Sequence, residues 1–129
     1  MLSTNKKPPD VFQYLEKAET LVKEKQFDQA LLVLNQSLQI KETVSANKWI
    51  AQILMINGRV EEALFYLERA SKMMPGDPTL IYNLGGAYVM NAQYEKAQEI
   101  LNQLDQIDPD FPDFLDIRKR LKDKLANRT

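Results

Sequence analysis

Apolar residues recur along the chain at helical spacing, and short polar turns separate the apolar segments. Two consecutive segments each present one apolar face: Leu80, Leu84, Ala87 and Tyr88 in the first, and Tyr94, Ala97, Leu101 and Leu104 in the second. The run Asn91-Ala92-Gln93 predicts a turn between them, and Asp77-Pro78 is typical of a helix start. The whole pattern predicts an all-α chain with seven helices, near residues 9–25, 27–41, 44–57, 60–74, 78–91, 94–107 and 112–127.

A repeat organises these helices in pairs. Ala30, Ala63 and Ala97 recur at intervals of 33 and 34 residues, and each is followed four residues later by a leucine. Twelve residues before each alanine stands another small residue, in the column Ala18, Ala51 and Gly85. Two antiparallel helices approach closely only where neither projects a large side chain. The two small columns therefore predict close packing between the helices of each pair.

The third copy carries the most specific motifs, which are Asn83-Leu84-Gly85-Gly86-Ala87-Tyr88, Tyr94-Glu95-Lys96-Ala97 and the segment from Leu104 to Asp108-Pro109. This copy resembles a tetratricopeptide repeat. The resemblance is close over 78–111, good over 44–77 and weaker over 11–43. In that first copy Lys17, Ser37 and Glu42 replace the leucine, alanine and proline that the family prefers.

The resemblance implies a right-handed α-solenoid of three helix-turn-helix repeats, at about 11–43, 44–77 and 78–111. After them, Phe114, Ile117, Leu121 and Leu125 form one helical stripe, which predicts a capping helix over 112–127. Residues 11–129 are then one domain. Residues 1–10, with Pro8-Pro9, are predicted to be a flexible tail.

Composition excludes several classes of function. The 17 basic and 18 acidic residues leave a net charge of −1, unlike the strongly basic domains that bind nucleic acid. With neither Cys nor His, the chain has no thiolate nucleophile, no imidazole base and no nitrogen or sulfur metal ligand. Gly85-Gly86 lies in a helical segment without a preceding strand, so it is not a phosphate-binding loop. We therefore expect a non-enzyme without cofactor or metal.

Neither a membrane nor a secretory context is expected. No apolar run approaches the ~18 residues of a membrane span. The first ten residues carry two lysines, but no apolar core follows them as it does in a signal peptide. The sequence therefore predicts a cytoplasmic protein.

Charge is nevertheless segregated near the C-terminus. Residues 97–117 contain six acids and no base, whereas residues 118–129 contain six bases and one acid, Asp123. This fits a solvated capping helix whose bases complement its dipole. The alternative is a tail that contacts RNA or a membrane, although no aromatic residue lies among the bases.

The family resemblance also implies an inner groove lined by the first helix of each pair. Counted from the alanine columns, the groove residues are Phe12, Leu15, Glu19, Lys23, Lys48, Gln52, Met55, Tyr82, Val89 and Met90, with Val22, Ser45, Ile56, Thr79 and Gly86 beside them. Most of the set is apolar, which favours an apolar ligand. Trp49 is either a contact at the edge of the groove or a wedge between repeats.

Some tetratricopeptide co-chaperones hold the carboxyl-terminal tails of heat-shock chaperones with a basic and amide clamp. The matching positions here are Leu15, Glu19, Trp49, Thr79 and Asn83, and none is basic. The predicted function is an adaptor, scaffold or chaperone-like module that binds a largely apolar peptide or helix of another protein. The alternatives are a self-associating assembly protein, which would form homo-oligomers, and an accessory region that serves a separate enzyme.

Overall fold

The computed structural model describes residues 10–127, and this part of the chain contains seven α-helices and no strand. Their bounds are α1 Val11–Lys23, α2 Phe27–Ile40, α3 Val44–Ile56, α4 Val60–Met73, α5 Pro78–Met90, α6 Tyr94–Ile107 and α7 Phe114–Ala126. The all-α class and the helix pairing are confirmed. The predicted tail, apart from Asp10, lies outside the described residues.

Side-chain caps begin the first helix of each pair. The side chains of Asp10, Thr43 and Asp77 accept hydrogen bonds from the backbone N–H three residues on, at 3.0, 3.1 and 3.0 Å. These bonds satisfy N–H groups that have no partner within the helix, and they confirm the start predicted at Asp77-Pro78. The predicted start of the last helix, at 112, is two residues early. Asp113 has a left-handed backbone (φ 65°), so α7 begins only after it.

The turn inside each pair has the same backbone in all three repeats. Lys25, Gly58 and Ala92 stand at equivalent positions, with φ of 60°, 77° and 59°. The N–H of the next residue donates to the carbonyl five residues back, for example from Gln93 to Tyr88 at 2.9 Å. This is the Schellman ending of a helix, for which glycine is the favoured residue. Only the second repeat has glycine there.

The two small-residue columns lie in the core. Ala18 and Ala51 are buried, as are all three alanines of the other column, and Gly85 is buried opposite α6. A β-carbon on Gly85 would lie 2.8 Å from Leu101 Cδ2. The prediction of close packing within each pair is therefore confirmed. Around these contacts runs one continuous cluster of buried apolar side chains, from α1 to α7.

A polar cluster links the first two repeats. Arg69 of α4 donates from Nε and Nη2 to the two carboxylate oxygens of Glu42, both at 2.6 Å, and stacks on the Phe65 ring 5.4 Å from its centroid. The buried Asn47 of α3 donates from Nδ2 to Glu42 Oε1 at 3.0 Å. Glu42, which replaces the family's proline, thereby ties the loop between α2 and α3 to α4.

Candidate functional site

The predicted groove residues of α1 lie mostly at the surface. Phe12 is 70% exposed, while Leu15 is half-buried against the core. Glu19 and Lys23 are exposed and paired, with 3.4 Å between Glu19 Oε1 and Lys23 Nζ. Since exposed ion pairs of this kind contribute little to stability, both side chains are free to reorganise around a ligand.

On α3 the same columns give a mixed surface. Gln52 is exposed, whereas Lys48 and Met55 are half-buried. Ile56, at the C-terminal end of the helix, is 62% exposed. Two of these side chains, Met55 and Ile56, offer apolar area to a ligand.

The α5 column differs from the prediction. Val89 is only 5% exposed and belongs to the core cluster, so it offers little surface to a ligand, although it borders a shallow pocket beside Met90 and Tyr94. Gly86 lies under the capping helix, because a β-carbon there would be 3.5 Å from Ile117 Cδ1. Met90, at the end of α5, is exposed as predicted.

Tyr82 is partly covered by the chain that leads into α7. Its ring packs against that of Phe111, with the centroids 5.2 Å apart. Burial raises the pKa of the Tyr82 hydroxyl above its ordinary value, and the carboxylates of Asp113 and Asp116 raise it further, while Arg120 opposes them. The inner face of α5 is therefore largely a packing surface for the cap. The open part of the predicted groove lies along α1 and α3, with Met90 beside it.

Trp49 of α3 is half-buried and packs against the core cluster. Part of the side chain is therefore used in packing, and the wedge between repeats stays a prediction. The remaining exposed surface of Trp49 leaves the edge contact a prediction.

Tyr88 makes a contact between repeats that the sequence does not predict, because it stands in a column otherwise filled by leucine. The Tyr88 hydroxyl donates to Glu68 Oε1 of α4 at 2.7 Å, and the Lys96 ammonium lies 5.8 Å from the centre of the ring. Burial raises the pKa of the Tyr88 hydroxyl well above its usual range, and the hydrogen bond with Glu68 makes a smaller contribution in the same direction. The hydroxyl therefore stays protonated and acts as a structural donor.

Two further properties of the described residues bear on function. Within 10–127, no cluster of three or more His, Cys, Asp or Glu side chains is arranged to hold a metal ion. This includes the aspartates between 105 and 116. None of the helices in that range combines the length and the apolar character needed to cross a bilayer.

The sequence profile of the tetratricopeptide repeat family matches residues 54–121, more than half of the chain. The chain belongs to the tetratricopeptide repeat family. The match begins within α3 and ends within α7, so it includes the repeat with the most specific motifs and most of the capping helix. No curated protein sequence matches the chain.

Solved structures of the family share its fold. The first tetratricopeptide domain of Spaghetti (RPAP3), bound to the HSP90 peptide SRMEEVD, is similar with a TM-score of 0.84 at 12% identity, over 96% of this chain and 99% of that one. YrrB, described as having an unusual peptide-binding site, gives 0.77 at 26% identity, over 87% of this chain and 58% of that one. MamA from Desulfovibrio magneticus gives 0.76 at 20% identity, over 91% and 72%.

Proposed function

We propose that the chain is a non-catalytic protein-interaction module that binds an apolar segment of a partner protein along the inner face of α1 and α3. The observation that carries this proposal is the exposure of large apolar side chains on the first helices, led by Phe12 and Ile56. Met90 extends the surface, since the repeat places it in the same column as Ile56. Exposed apolar groups gathered on one side of a protein are typical of a binding surface.

The similar structures support a peptide as the ligand class. The Spaghetti domain holds an HSP90 peptide, and YrrB has a peptide-binding site. The absence of Cys and His from the sequence removes the thiolate nucleophile and the imidazole base, which supports a role in binding. Adaptor, scaffold and chaperone-like roles in the cytoplasm all fit such a module.

The proposed ligand differs from the HSP90 peptide in chemistry. The five positions that match the clamp carry no cation, and Glu19 would repel a carboxylate. An apolar peptide instead finds Phe12, Leu15, Met55 and Ile56, while Lys48, Glu19 and Lys23 set its orientation. We therefore expect no binding of SRMEEVD to α1 and α3.

Affinity capture from a lysate, followed by mass spectrometry, tests the groove. The test variant is Phe12→Ser with Ile56→Ser, because both side chains are exposed and their loss spares the core. Tyr82 is a poor choice, since its ring packs against Phe111. The matched control is Leu32→Ser with Ile107→Ser, two residues that are 67% and 48% exposed on the second helices. Partners retained by the control and lost from the test variant support the groove, and equal capture by both contradicts it.

Self-association is the second candidate function. Leu32 and Phe65 occupy equivalent positions on α2 and α4, so the repeat places two large exposed apolar groups on one side of the solenoid. Light scattering of the wild-type chain tests this candidate. A mass that rises with concentration, and that returns to the monomer in the Leu32→Ser/Phe65→Ser variant, supports it. A constant monomer mass removes it.

A further inference from the structure

The capping helix stands where the first helix of a fourth pair would stand. Phe114 of α7 follows Leu80 of α5 by 34 residues, the repeat length, and both are buried. Ile117 and Leu121 also enter the core, and Ile117 lies over Gly86 of α5. In residues 10–127, however, no eighth helix follows to pack on α7 as α6 packs on α5.

The face of α7 that such a second helix would cover has an unusual composition. In α5 the equivalent face consists of Ile81, Leu84, Gly85 and Tyr88, all buried. One repeat later these positions are Leu115, Arg118, Lys119 and Lys122, all exposed. Leu115 is 80% exposed. The face that is apolar and buried in α5 therefore consists of one exposed leucine and three exposed bases in α7.

This face borders an open cleft between α6 and α7, with a volume of about 500 Å³. The floor is aliphatic, from Leu101, Leu121 and Leu125. The α6 side is neutral, with Gln98 and Asn102, and the α7 side carries Lys119, Lys122 and Arg118. Of the described residues that line the cleft, every charged one is therefore basic. The Arg118 Nη1 atom lies 3.8 Å from Asp105 Oδ1 of α6, so the two lysines are the bases for which no ion pair is found among the described residues.

We propose that this cleft binds an acidic amphipathic helix of a partner protein, laid along α7 as α6 lies along α5. Charge complementarity carries the choice of occupant, because the charged residues that line the cleft are all basic in a chain whose net charge is −1. Leucines on one face of the partner helix contact the aliphatic floor, and flanking Glu or Asp side chains pair with Lys119 and Lys122.

The position of Lys119 on α7 favours an acidic helix as the occupant of the cleft. It stands in the column of Gly85, where α5 and α6 are in close contact. A lysine there holds an incoming helix further away, with its aliphatic stem along the floor and its ammonium at the rim. A glutamate on the partner reaches across that distance and forms an ion pair, whereas a lysine would be repelled.

Two other occupants fit the surface less well. The α7 helix of a second copy of the chain would place its own lysines against Lys119 and Lys122, and the like charges would repel. Single-stranded RNA would find phosphate partners but no ring on which to stack, because the described lining residues include no aromatic side chain. Both are outcomes of the test below.

The test uses the full chain and a synthetic helical peptide of about 14 residues, the length of α6. The peptide has leucines at i, i+4, i+7 and i+11 with glutamates beside them, and a matched peptide has lysines in their place. Binding is followed by backbone amide shifts and by fluorescence anisotropy. We expect the acidic peptide alone to bind, with shifts confined to α6 and α7, and to bind several-fold more weakly at about 300 mM than at about 50 mM salt.

Variants separate this cleft from general charge attraction. Lys119→Glu with Lys122→Glu is expected to weaken binding about tenfold or more. The control, Lys17→Glu with Lys72→Glu, makes the same change in net charge at exposed sites on α1 and α4 and is expected to have little effect. Leu115→Ser tests the apolar contact, because this side chain is exposed and its loss leaves the core intact; it is expected to weaken binding several-fold.

Several outcomes would overturn the proposal. These are equal affinity for the two peptides, shifts confined to α1 and α3, or no binding of the acidic peptide up to about 1 mM. If SRMEEVD or oligouridylate binds to α7 as tightly as the acidic helical peptide does, the site is a cationic surface without specificity for a helix. A dimer that is lost in the Lys119→Glu/Lys122→Glu variant would make a second copy the occupant.

Discussion

The Tyr88 hydroxyl donates a 2.7 Å hydrogen bond to Glu68 Oε1, which joins α5 to α4 across the boundary between the second and third repeats. In a solenoid each repeat is stabilised mainly by its neighbours. A polar bond between two repeats therefore contributes to the cooperativity of the whole stack. Tyr88 makes this bond from a column in which the first two repeats place Leu21 and Leu54.

Removing this bond is expected to destabilise the chain. Tyr88→Phe keeps the buried ring but loses the donor, and we expect the free energy of unfolding to fall by about 1 kcal/mol. Glu68 is only half-buried, so water can replace the lost donor and limit the cost. Urea denaturation measures the change. In a double-mutant cycle with Glu68→Leu, the double variant should lose less than the sum of the single losses, and strict additivity would contradict the bond.

The turn backbone predicts that glycine is the more stable residue at each of the three equivalent turn positions. Gly58 has φ of 77° with open space around it, so Gly58→Ala changes only backbone strain and should cost roughly 0.5–1 kcal/mol. Ala92 has φ of 59° at the same position one repeat later. Ala92→Gly should stabilise by a similar amount, and so should Lys25→Gly. Thermal and urea midpoints measure these shifts, and a loss of stability in Ala92→Gly would show that the turn is not strained.

Adjacent glycines in α5 are expected to respond differently to alanine. Alanine in place of Gly86 meets only Ile117 at 3.5 Å, so the gain in helix propensity should raise stability by about 0.5–1 kcal/mol. A β-carbon on Gly85 would lie 2.8 and 3.1 Å from the Cδ2 and Cγ atoms of the buried Leu101. That steric overlap opposes the gain in helix propensity, so the Gly85→Ala variant should be clearly less stable than the Gly86→Ala variant. Equal midpoints for the two variants would contradict the close approach of α5 and α6.

The repeat pattern predicts the fold well because each column reports a contact that recurs in every pair. The small column ending at Gly85 and the cap at Asp77 are local features, and both are confirmed. The low exposure of Val89 and the cover over Tyr82 were not predicted, because the columns of earlier repeats carry no information about the chain that packs on the last pair. Phe111, which covers Tyr82, follows Asp77 by one repeat length, so the second repeat gives no signal for an aromatic residue there.

The ion pair between Glu42 and Arg69 predicts a pH dependence of stability. Hydrogen bonds from Arg69, and then from Asn47, lower the pKa of Glu42 below its ordinary value of 4.5. A carboxyl whose pKa is lower in the folded state stabilises the fold above its unfolded pKa, and this contribution is lost as the pH falls through the folded value. Glu42→Gln should therefore be less stable than the wild type at pH 7, and the difference should shrink below about pH 4.5.

Urea midpoints of both proteins, measured from about pH 7 to about pH 3, test this prediction. Arg69→Met serves as the partner variant, because it leaves Glu42 without the guanidinium that lowers its pKa. The difference in urea midpoint between Arg69→Met and the wild type should also become smaller at low pH. The double variant Arg69→Met/Glu42→Gln should have nearly the same pH profile as Arg69→Met alone. If the urea midpoints of Glu42→Gln and the wild type differ by the same amount over the whole pH range, the Glu42–Arg69 pair does not couple folding to protonation.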